Sequence, residues 1–179
     1  MLVALLRPAH EAHARAVAWF AHVPGREWAT CPITESGLTR ILSNRAFSRD
    51  CLTPWEAQAL LAANTRAAEH EFWPDDLPCT EALEPLRGRL LGHRQVTDAY
   101  LLALALRRGA QLATLDRGVA ELVPASSPQR NSIVLVVKAE LPAIRPARRA
   151  AARSRIPDPE LRHYFRRCAG EVRRRLGGG

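Results

Sequence analysis

The chain has 179 residues, of which 47% are hydrophobic, and a formal net charge of +8. That length fits one domain with an appendage, and the apolar share supports a real core, which argues against a wholly disordered polypeptide. Residues 1–137 carry 14 Arg and 14 Asp or Glu, whereas residues 138–179 carry one Lys and 11 Arg against four acids, so the entire positive excess lies in the tail.

A tail of this kind either binds nucleic acid or an acidic surface, or is simply a solvated arm. Cys31, Cys51, Cys79 and Cys168 show no paired spacing, which suggests reduced thiols in a cytoplasmic protein. The apolar opening Met1–Leu6 stops at Arg7-Pro8. It is too short for a signal peptide or a membrane span, and no membrane association is expected.

In chain order, Leu2 to His22 reads as helix, ended by Pro24-Gly25. Glu27 to Cys31 is a short strand closed by Pro32, and Ile33 to Ser43 returns to helix. Thr53-Pro54-Trp55-Glu56 combines a cap, a proline at the first helical position and a capping-box acid, opening a helix to about Ala68. Glu71–Trp73 is a strand and Thr80–Leu86 a short helix. Residues 98–108 are apolar almost all round, the mark of a buried helix, with Thr97 as its cap. Gln111–Leu115 and Ser132–Val137 are strands. Helices alternating with short strands define an α/β class with a mostly parallel sheet. Residues 138–179 form a basic Arg/Ala/Pro-rich extension, with a helix expected over Asp158–Leu176.

Three carboxylates fall at matching places in this pattern. Glu35 lies in the first turn after one strand, Asp98 in the first turn of the buried helix, and Asp116 directly after another strand. In a parallel sheet, strand ends and the starts of the following helices share one edge, where ligands bind. Converging carboxylates repel one another unless a hard cation joins them; Mg²⁺ and Mn²⁺ suit oxygen ligands and can serve phosphodiester hydrolysis. Taken singly, each acid is equally explained as a helix-terminal residue meeting the dipole.

The stretches Trp28–Glu35, Arg40–Asn44, Phe72–Asp76, Gly92–Leu102 and Leu112–Asp116, in this order and spacing, resemble PIN-domain proteins of the VapC type, the ribonuclease toxins of bacterial toxin–antitoxin pairs. The resemblance covers residues 1–137. It implies a three-layer α/β/α fold, Mg²⁺- or Mn²⁺-dependent endoribonuclease activity on RNA, and a VapB-like antitoxin, and it leaves room for a homodimer. It makes Glu35, Asp98 and Asp116 catalytic, metal-binding acids. Arg40, Arg94 and Arg117, close to the acids in sequence, either hold RNA phosphates or pair with an acid.

The resemblance departs at the front. Proteins of this type open with an apolar strand ending in an acidic motif, followed by a helix much like Leu2–His10. Aligned so, the strand and its Asp lie upstream of Met1, leaving three of four acids and no central strand. The expectation is that the natural protein starts upstream; the rival is a non-catalytic relic that binds RNA or antitoxin.

Other motifs carry less. His10-Glu11-Ala12-His13 has its histidines three apart rather than the four of a zinc-protease helix. Asp75-Asp76, between two prolines, suits a turn. Ser36 lacks a recognisable His and acid partner, and no Gly-rich phosphate loop occurs.

Overall fold

Prolines set the outline of the helices. The computed structural model describes residues 1–137 apart from Pro24, Arg26 and Arg49; the basic extension and its expected helix lie outside the described residues. Pro8 disfavours helical backbone at the residue before it. Arg7 accordingly turns extended, and the single helix expected from Leu2 to His22 is two, α1 (Leu2–Leu6) and α2 (His13–Phe20). The His13 ring nitrogen Nδ1 donates to the Ala4 carbonyl at 2.8 Å, fastening one to the other. His10 Nδ1 accepts from the Ala12 amide at 3.0 Å. The two histidines are thus local braces rather than a metal motif.

Strand β1 (Trp28–Thr30) leads through Cys31 into α3 (Pro32–Leu42). Here Thr34 Oγ1 accepts from the Cys31 amide at 2.9 Å, satisfying a donor the helix leaves unpaired. Helix α4 (Pro54–Asn64) opens on the expected capping box: the Glu56 amide donates to Thr53 Oγ1 at 3.2 Å and the Thr53 amide to Glu56 Oε2 at 2.7 Å. Strand β2 (His70–Phe72), α5 (Cys79–Leu83), α6 (Val96–Arg107), β3 (Leu112–Thr114) and β4 (Ile133–Leu135) complete the elements. Two 3₁₀ segments, Arg117–Leu122 and Pro128–Ser132, fill the β3–β4 connection.

Among the described residues all strand pairing is parallel, in two pairs, β1 with β2 and β3 with β4. The Trp28 amide donates to the Glu69 carbonyl and the Trp73 amide to that of Thr30. In a parallel ladder the residue between, Ala29, turns its own peptide groups away from β2. The Val136 amide donates to the Thr114 carbonyl, so Ala113 likewise faces away from β4.

Helix α6 joins the pairs by packing. Its Ala99 and Leu102 belong to a cluster with Leu86, Val119, Leu122 and Val123, against which Leu112 and Ile133 of β3 and β4 pack. Its Tyr100 and Leu104 belong to another with Cys31 and Ala82, against which Trp73 packs at the end of β2. A helix apolar on nearly every side therefore buries one face on each strand pair. Leu38, Leu42, Ala57 and Leu61 form a further cluster between α3 and α4, covered by Leu2, Val3 and Leu6 of α1. Among the described residues no helix is long and apolar enough to cross a membrane.

Candidate metal centre

Asp98 enters the site from the first turn of α6. That helix begins at Val96 after a 3₁₀ turn over His93–Gln95, with Gln95 at the cap position. Thr97, expected as the cap, is thus already inside the first turn, and Asp98 is the third helical residue. Its side chain is half-buried.

Asp116 follows β3 and caps the 3₁₀ segment behind it: its Oδ1 accepts from the Gly118 amide at 2.8 Å. Its own amide donates to Thr114 Oγ1 at 3.0 Å. One carboxylate oxygen is therefore engaged and the residue as a whole is exposed.

These two acids are brought together. Burial raises the Asp98 carboxyl above the usual aspartate range, and the negative charge of Asp116 raises it further; the α-amino group of Met1 opposes the shift. That amine is itself pulled below its ordinary value by burial. Two neighbouring like charges, one of them partly desolvated, are the condition that a hard cation relieves. The Asp98–Asp116 pair therefore fits a divalent ion with oxygen ligands.

Glu35 is held differently. It sits in the first turn of α3, and its Oε1 accepts from Thr30 Oγ1 at 2.7 Å. Among the described residues, no three His, Cys, Asp or Glu side chains cluster closely enough to ligate one ion together. The structure thus sets Asp98 beside the charge of Asp116, while Glu35 is presented from α3 and held by Thr30.

Arg40 ends α3, Arg94 lies in the turn before α6, and Arg117 follows Asp116. All three are exposed, and among the described residues none forms an ion pair. Asp76, by contrast, accepts from Arg108 at 2.9 Å, tying the loop after β2 to the end of α6. An open recess of about 480 Å³ lined by Arg87, Gly88, Arg89, Leu91, Gln95 and Glu121 contains none of the three acids.

Two residues near the site escaped the reading of the sequence. Thr30 is 2% exposed and bonds both Glu35 and His70, which lies 40 positions away. No local spacing announces that contact; only the pairing of β1 with β2 creates it.

Two parallel strand pairs packed on a shared helix, with acids at the strand ends and helix starts, define an α/β domain with an acidic edge. The PIN domain family matches residues 1–123, and the chain belongs to that family, whose fold is the three-layer α/β/α arrangement. Within it the chain falls with the VapC ribonucleases. It is 46% identical over 121 residues to Ribonuclease VapC39 of Mycobacterium tuberculosis, covering 68% of this chain and 87% of that protein. It is 41% identical over 118 residues to Ribonuclease VapC38, covering 66% and 82%. With Ribonuclease VapC44 the identity is 37% over 130 residues, covering 72% and 91%.

Proposed function

We propose that this chain is a divalent-cation-dependent endoribonuclease, the cytoplasmic toxin of a VapBC-type pair, with RNA as substrate and a VapB-like antitoxin as its inhibitor. The observation that carries the chemistry is the placement of Asp98, in the first turn of α6, beside the negative charge of Asp116, which follows β3. The names of the relatives support the substrate class.

Asp98 and Asp116 would hold Mg²⁺ or Mn²⁺, which when bound supplies a Lewis acid for phosphodiester hydrolysis. The hydrogen bond from Gly118 fixes one oxygen of Asp116, leaving the other to meet a cation. Glu35, presented from α3 with one oxygen tied to Thr30, adds negative charge on the β1 side and is suited to orienting water or accepting a proton there. Arg40, Arg94 and Arg117 offer guanidinium groups to backbone phosphates. Unstacked bases of a loop or single strand are the natural reading frame for such an open site.

The test is cleavage of a structured RNA during a Mn²⁺ titration, with Asp98→Asn alongside. Cleavage that rises with Mn²⁺ and disappears in the variant supports the proposal. RNA retained on the protein without cleavage at any Mn²⁺ concentration would instead make it a binding module.

A further inference from the structure

We propose that His70 and Thr30 form a directional relay that positions Glu35, with His70 in the tautomer that carries its proton on Nε2. The inference deepens the metal-dependent reading above and rests on it.

Thr30 Oγ1 has one hydrogen. It lies 2.7 Å from Glu35 Oε1 and 2.8 Å from His70 Nε2. An ionised carboxylate only accepts, so the threonine hydrogen goes to Glu35. The contact with His70 must then run the other way, with Nε2–H donating to Oγ1. The chain reads Nε2–H to Oγ1–H to Oε1, and in a poorly solvated setting each bond polarises the next.

The strands make this arrangement stiff. Trp28 pairs with His70 and Thr30 with Phe72 in the β1–β2 ladder. Trp28 and Thr30 are two apart, so both stand on the same face of β1 as the imidazole. The Trp28 ring lies against His70 with centroids 4.5 Å apart. The imidazole is thus bracketed by Trp28 while its Nε2 rests on Thr30. Thr30 is buried at 2% exposure, so water does not compete for its hydroxyl. The outcome is one Glu35 oxygen fixed and the other free, with the carboxylate's rotation removed before any ligand arrives. Outer-sphere groups that set the charge and water structure of a metal site typically govern its affinity or activity by about 10–100-fold, and Glu35, held by Thr30, is such a group on the reading above.

The experiment measures Mn²⁺ affinity of the full chain by calorimetry and the His70 tautomer by ¹⁵N NMR. Thr30→Val, which keeps shape and loses the hydroxyl, is expected to weaken Mn²⁺ binding by about tenfold or more. Thr30→Ser is expected to retain it. His70→Gln places an N–H near the position of Nε2 and is expected to bind Mn²⁺ more tightly than His70→Ala. The imidazole spectrum is expected to show hydrogen on Nε2. Wild-type affinity in Thr30→Val, no advantage of His70→Gln over His70→Ala, or hydrogen on Nδ1 alone would each overturn the relay. If Asp98→Asn binds Mn²⁺ as well as the wild type, the metal reading falls, and the tautomer still decides whether the relay exists.

Discussion

The negative charge of Asp116 raises the proton affinity of Asp98, on top of the rise that burial alone produces. The two residues are 18 positions apart and come from different elements, one at the start of α6 and one at the end of β3. Their proximity has a thermodynamic sign. A carboxyl whose folded pKa exceeds its unfolded one contributes stability that is complete below the unfolded value and is lost as pH rises through the folded value. At neutral pH the ionised pair therefore burdens the cation-free fold.

Asp98→Asn should accordingly melt at a higher temperature than the wild type in chelator at pH 7. Screening at a half-exposed position keeps the gain to about 1 kcal/mol or less, on the order of 2–4 °C for a chain of this size. The difference should vanish near about pH 4, where the ordinary aspartate titrates. A melting series from acid to neutral pH checks it, and a lower melting point for the variant at pH 7 would contradict the stated coupling.

Mn²⁺ should raise the melting temperature of the wild type and leave Asp98→Asn nearly unmoved. A ligand at about 100 times its Kd adds about 2.7 kcal/mol to a fold that binds it. Thermal scans with and without Mn²⁺ measure this directly, and equal shifts in both proteins would remove Asp98 from the centre.

Thr53→Ala should cost about 1 kcal/mol, because the hydroxyl accepts the Glu56 amide at the start of α4. The readout is the urea midpoint at unchanged slope, with RNA cleavage per folded molecule as a control expected to stay the same.

Replacing Arg117 with Gln should weaken RNA binding by a similar factor for unrelated sequences and reduce the slope of log affinity against log salt by about 0.7, the single-strand value for one phosphate contact. Binding isotherms at several salt concentrations test this. An unchanged slope would place Arg117 off the RNA path.

What the sequence disclosed followed from local chemistry. The start of α4 was readable because Thr53, Pro54 and Glu56 act on their own neighbours. The burial of α6 was readable because few positions in 98–108 are polar. Pro8 was equally visible, yet the apolar period running past it suggested one helix; the restriction on Arg7 outweighs periodicity over so short a span. The Arg117–Leu122 and Pro128–Ser132 segments were not readable, since distant groups shape them: Arg130 donates to the carbonyls of Ala120 and Val123. The site divides in the same way. Asp98 and Asp116 were found from strand ends and helix starts, whereas His70 depends on strand register and has no mark of its own.

The packing of α6 between the two strand pairs has a consequence for how the protein opens. Without ladder bonds between β1 and β3 among the described residues, amide protection should segregate into two cooperative blocks, one on β1–β2 and one on β3–β4, with α6 guarding both. Leu102, fully buried on the β3–β4 side, and Leu104, 2% exposed on the β1–β2 side, then govern separate blocks. Asp98, carried by the shared helix, is the point at which the breathing of either half reaches the acids.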